Sequence, residues 1–111
     1  MSPVNAAKNG SADASKALLA AHVRIPDQIV YRSFVQETVL LNLATGRYHG
    51  INPTGGRILD LLAVDATPAA AARALADEYG RPLADVERDV CTFCEELRER
   101  GLIEVRLNGS G

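Results

Sequence analysis

The sequence predicts an α+β domain of winged helix-turn-helix-like form, a three-stranded antiparallel sheet followed by three helices. Three observations predict it. Short alternating apolar runs come first, a switch to three-four apolar spacing follows them, and capping residues punctuate each later segment. The chain of 111 residues holds one domain plus tails, since domains usually run to roughly 100–150 residues. Its apolar fraction of 47% with only 5% aromatic suits helices packed through aliphatic side chains.

Ile29-Val30-Tyr31-Arg32-Ser33-Phe34 and Glu37-Thr38-Val39-Leu40-Leu41-Asn42-Leu43 alternate as half-buried strands do. Ala44-Thr45-Gly46 supplies a turn in which Gly can take positive φ, and Arg47-Tyr48-His49-Gly50-Ile51 returns as a third antiparallel strand. Asn52-Pro53-Thr54 breaks that strand and offers Thr54 as an N-cap for a helix over 54–64, with Ile58, Leu61 and Leu62 at helical spacing. Thr67-Pro68 opens a second helix over 68–79, and Gly80 ends it. Val86, Val90, Phe93, Cys94 and Leu97 carry the stripe of a third helix from Leu83 to Arg100, with Gly101 as its terminator. Residues 102–107 alternate and predict a last short strand or wing. The folded domain is expected over 22–107, between a flexible arm at 1–21 and a flexible tail at 108–111.

The longest apolar run of the arm, Ala17 to Ala21, is too short for a signal-peptide core or a membrane span, so a cytoplasmic protein without membrane attachment is expected. Cys91-x-x-Cys94 lies within a helix, has no second pair, and is far in sequence from His22 and His49; two small apolar thiols packed in a core account for it better than a metal or redox site. Neither histidine has a nearby nucleophile and acid in a triad pattern, no serine lies on a nucleophile elbow, and Gly55-Gly56 lacks the Lys of a phosphate loop. No enzyme activity, cofactor or metal is expected.

Three helices in this order invite a DNA-binding reading, and charge argues against it. Residues 83–100 hold three Arg against six acids, a net of −3, and residues 54–100 hold six Arg against ten acids, a net of −4. Binding to nucleic acid depends on cationic contacts to phosphates. What remains is an edge: Arg47–Ile51 ends the meander, and its unpaired main-chain groups can accept a further strand. A homodimer joined edge to edge, a structural scaffold, or a transcriptional regulator are the alternatives to a guest peptide there.

The run Val39-Leu40-Leu41-Asn42-Leu43-Ala44-Thr45-Gly46-Arg47-Tyr48, followed by Ile51-Asn52-Pro53-Thr54-Gly55 and Ile58-Leu59-Asp60-Leu61-Leu62, resembles the PqqD-like family. It is similar above all to the stand-alone leader-binding proteins of lasso-peptide clusters. Thr67-Pro68, Tyr79, Val86 to Leu97 and Gly101-Leu102-Ile103 agree with it, so the resemblance spans roughly residues 23–105. It implies a recognition element for ribosomally synthesised, post-translationally modified peptides (RiPPs). Such a domain holds the precursor's leader as an added strand, while a leader peptidase, a cyclase or a radical SAM enzyme does the chemistry. The resemblance assigns Arg47, Tyr48, His49, Gly50 and Ile51 to the accepting strand, and Val86, Asp89, Val90 and Phe93 to the helical wall of the cleft. Leu59 stands where many relatives have Trp, and Gly50 where a large side chain is common.

Overall fold

The computed structural model describes residues 16–65 and 67–107. Strands β1 (His22–Arg24), β2 (Ile29–Ser33), β3 (Thr38–Asn42) and β4 (Tyr48–Ile51) precede helices α1 (Pro53–Val64), α2 (Pro68–Tyr79) and α3 (Leu83–Glu99), and β5 (Glu104–Arg106) closes the order. β2, β3 and β4 form an antiparallel meander in that spatial order, and β1 pairs with β5 as a separate two-stranded sheet. The expected meander and the three expected helices are therefore present.

The turn between β3 and β4 is set by its own side chains. Asn42 Oδ1 accepts from the N–H groups of Ala44 (2.9 Å) and Thr45 (3.3 Å), and Gly46 takes φ 76°. That folds β4 directly back beside β3.

Helix α1 starts one residue before the expected 54–64, because its N-cap is Asn52 and not Thr54. Asn52 Oδ1 accepts from Gly55 N–H at 2.7 Å, and Pro53 occupies the first turn, where its missing N–H costs nothing. The cap of α2 is Thr67, whose hydroxyl accepts from Ala70 N–H at 3.3 Å, and Gly80 ends the helix at φ 63°. Beyond α3, Gly101 takes φ 72°, which lets Leu102 N–H reach back to Leu97 C=O at 2.9 Å and turns the chain into β5.

One core serves all elements. Leu40 of β3 is wholly buried, with Leu59 of α1, Ala72 and Leu75 of α2, Val90, Cys94 and Leu97 of α3, and Leu102. Each large aliphatic side chain so placed contributes about 1.5–3 kcal/mol. The expectation of an arm reaching to residue 21 needs correction: residues 16–19 are helical, and Leu18 and Ala21 are buried in the core. His22, the first residue of the expected domain, stands opposite Arg106 in the β1–β5 ladder. The earlier part of the arm, 1–15, and the tail, 108–111, lie outside the described residues.

The two glycines that open α1 are packing notches. A Cβ on Gly56 would collide with Thr38 Oγ1 and stand 2.9 Å from Thr38 Cβ, so α1 rests almost directly on β3. Thr38 is buried and shares a 2.9 Å hydrogen bond with Ser33. Tyr31 adds a second tie, donating its hydroxyl to Asp60 of α1 at 3.1 Å. Partial burial first, and then the Asp60 carboxylate, push that phenol up to about 12.

Candidate functional site

The end of the meander is an open edge whose available groups can be assigned. Asn42 N–H donates to Arg47 C=O at 2.9 Å, so Asn42 and Arg47 form a hydrogen-bonded pair. In antiparallel sheets such pairs alternate with pairs that make no bonds to each other. The register pairs Leu41 with Tyr48, Leu40 with His49, Val39 with Gly50 and Thr38 with Ile51. His49 and Ile51 therefore spend their main-chain groups on β3, whereas the N–H and C=O of Tyr48 and Gly50 point outward from the sheet. The opposite edge is less open at its start, because Ile29 N–H is already bonded to Pro26 C=O at 2.9 Å.

Side-chain direction follows the same register. Ile51 shares a face with the buried Thr38 and His49 with the buried Leu40, so both turn toward the helices and are half-buried. Tyr48 lies on the other face beside Leu41 and Val30 and is 72% exposed. On the helical side, Gly55 joins β4 to α3. At the place where its Cβ would stand, Phe93 Cε1 is 2.8 Å away and Ile51 Cδ1 is 3.2 Å away. The half-buried Phe93 ring and Ile51 thus form an apolar floor next to the edge groups of Gly50.

Not every expected residue joins this place. Tyr48, Gly50, Ile51 and Phe93 come together, with His49 turned inward beside them. Arg47 precedes the strand and is exposed, its carbonyl already spent on Asn42. Val86 and Val90 need correction as cleft residues: they are 3% and 0% exposed, on the stripe that α3 presents to the core. Helical spacing marks an apolar stripe without saying which neighbour it meets. Asp89 is exposed and held by Arg81 at 3.0 Å. Gly55 was missed, although a Gly in a first helical turn that needs no positive φ signals a close approach.

The site offers contact surface and outward main-chain groups. Cys91 and Cys94 are both buried free thiols, and burial pushes Cys94 up to about 12, which keeps it a neutral packing group. Among the described residues, no group of three or more His, Cys, Asp or Glu side chains is placed to hold a metal ion. Among the same residues no helix is long and apolar enough to cross a membrane. A depression of about 780 Å³ lies elsewhere, between the β1–β5 sheet and the end of α1, lined by His22, Arg24, Leu62 and Arg106 among others.

A winged-helix-like α+β domain with a strand edge that is unpaired among the described residues, beside an apolar helix face, is the class these features define. The family model for coenzyme PQQ synthesis protein D matches residues 37–103, which takes in β3, β4 and all three helices, and the chain belongs to that PqqD family. Among solved structures, it is similar to TbiB1 in complex with the TbiA(beta) leader peptide, at 34% identity and TM-score 0.65 over 79% of this chain and 98% of that one. It is also similar to a lasso peptide synthetase B1 complexed with the leader peptide, at 29% identity and TM-score 0.67 over 75% of this chain and 98% of that one. The PqqD truncation of Methylobacterium extorquens PqqCD, a stand-alone RiPP recognition element, shares the fold at 22% identity and TM-score 0.63, over 75% and 88% of the two chains. No curated protein matches.

Proposed function

We propose that this chain is a non-catalytic leader-binding protein. It takes the leader of a ribosomally made precursor peptide as an added strand on β4 and presents the precursor to a modifying enzyme. The observation that carries this reading is the outward main-chain groups of Tyr48 and Gly50 lying beside the Ile51–Gly55–Phe93 floor. A guest strand gains affinity from the main chain and specificity from alternate side chains that meet that floor. The two relatives seen with leader peptides, at 34% and 29% identity, favour a lasso-type precursor, and hence a leader peptidase and a cyclase as the enzymes served.

Holding the leader makes the encounter between the precursor's core and its enzyme intramolecular, so the chain acts by raising effective concentration. Apolar anchors dominate the grip, since exposed ion pairs contribute only about 0–1 kcal/mol each. The test is an amide NMR titration of the labelled protein with the synthetic leader of a lasso-type precursor peptide. Shifts concentrated at Tyr48–Ile51, Gly55 and Phe93 are expected. Shifts confined to the β1–β5 side, or none at saturating peptide, would overturn the assignment for that peptide.

A further inference from the structure

Gly50 faces away from the cleft, and a carboxylate stands where its side chain would be. Glu37 Oε1 is 2.9 Å from the position of a Gly50 Cβ, on the opposite face of β4 from Ile51. Glu37 is exposed, and no hydrogen bond or ion pair to its side chain is formed among the described residues. Arg32, the cation of the same cross-strand row, is on β2, with Val39 of β3 between it and Gly50. Two strand spacings, roughly 10 Å, separate that row's ends.

A guest strand beside β4 places one residue opposite Gly50, and that residue projects to the same face as the missing Cβ whichever way the guest runs. Directly opposed Cβ atoms stand about 4.5–5.5 Å apart. The Glu37 carboxylate is therefore within reach of a long side chain from that one guest position, and the absent Gly50 side chain leaves the path clear. The guest residues on either side of it project to the other face, toward Ile51 and Phe93.

Resting on the leader-binding reading, we infer that Glu37 and Gly50 form a reader for a basic residue, selecting Lys or Arg at the guest position opposite Gly50 between apolar neighbours. Gly50 clears the space and Glu37 supplies the charge. The recognised segment is thus amphipathic in alternation, apolar toward Phe93 and basic toward Glu37.

The test is a display library of random short peptides, selected in parallel on the full chain and on its Glu37→Lys variant. Enriched peptides on the native chain are expected to share apolar alternation with Lys or Arg at one fixed place, and Glu37→Lys is expected to change that place to Asp or Glu while keeping the apolar pattern. Glu37→Gln should weaken an enriched basic peptide by about two- to fivefold, the range of an exposed pair. Gly50→Ala, which pushes Glu37 aside, should lessen the basic preference as well. Apolar alternation without a basic preference, or a basic preference that Glu37→Lys leaves unchanged, would overturn the inference and leave leader binding standing. No enrichment on either chain would overturn leader binding itself, and the reader with it.

Discussion

Replacing either glycine of α1 by alanine should separate what holds the domain together from what shapes its cleft. In an exposed helix interior Gly→Ala stabilises by about 1 kcal/mol. At Gly56 the new methyl meets Thr38 Oγ1 and stands 2.9 Å from Thr38 Cβ, in a place where Thr38 is 1% exposed and cannot swing into solvent. Overpacking of that kind costs about 1–3 kcal/mol, and forcing the Thr38 hydroxyl off Ser33 adds about 1 kcal/mol. Gly56→Ala should therefore destabilise by about 1–3 kcal/mol after the propensity gain, a fall in Tm of roughly 5–20 °C for a domain of this size. Thr38→Ala in the same chain should recover part of that loss. At Gly55 the obstructing atom is Phe93 Cε1 at 2.8 Å, the far end of a half-buried side chain at the rim of the core. Gly55→Ala should cost little stability and should alter leader binding by moving the ring. Thermal melts by circular dichroism and calorimetric titration measure the two effects. A Gly56→Ala protein melting at or above wild type would refute the reasoning, as would a Gly55→Ala protein that loses as much stability and binds as before.

Tyr48→Ala and Phe93→Ala should each weaken leader binding more than Asp89→Asn, which breaks only an exposed pair with Arg81; calorimetry giving the reverse order would refute this. Burial pushes Cys94 up from the ordinary thiol value of 9.0 to about 12, so its stabilising contribution is complete below about pH 9 and is lost as pH rises toward 12. Cys94→Ala should flatten the fall of Tm in that window, leaving the weaker slope that Tyr31 adds in the same direction from 10.0 to about 12. Arg57→Ala removes three hydrogen bonds to Glu78 that tie α1 to α2, yet both side chains reach solvent, so a small fall in Tm that shrinks with added salt is expected in melts at two ionic strengths. A low-salt gel shift with duplex DNA should show no retarded band, as the acid excess over 54–100 requires.

Much of this was legible before the structure because it is local. Thr67-Pro68 and Gly80 bound α2 where expected, since capping needs only neighbouring residues. The short apolar and β-branched run Thr38 to Leu41 placed β3, and Ala44-Thr45-Gly46 placed its turn. The parts that failed depend on partners distant in sequence. His22 to Arg24 has too few residues to alternate visibly, and it becomes a strand only because β5 arrives some eighty residues later to pair with it. Leu18 and Ala21 lie in a stretch rich in small residues, and they are core because the helices leave room for them. Val86 and Val90 belong to the right stripe but face the core. Glu37 carries no sequence signal, since its meaning comes from folding against a glycine on another strand.

The same packing suits this helix-turn-helix shape to the proposed peptide guest better than to a duplex. Both arginines within α3 are engaged close by, Arg88 with Asp85 at 3.3 Å and Arg98 with Glu95 at 3.7 Å, while Arg81 just before the helix holds Asp89. Carboxylates therefore dominate the helix's outer surface, repelling a duplex and tolerating a basic peptide. Meanwhile Gly55 draws Phe93 over the start of α1 and leaves the ring beside Ile51, next to the only main-chain groups of β4 that β3 does not use. A nucleic acid has no use for outward N–H and C=O groups alternating along a strand, whereas an extended peptide matches both their spacing and their chemistry. The proposed binding mode thus rests on two glycines: Gly55 brings the apolar wall to the edge, and Gly50 keeps the edge low enough for another backbone to lie against it.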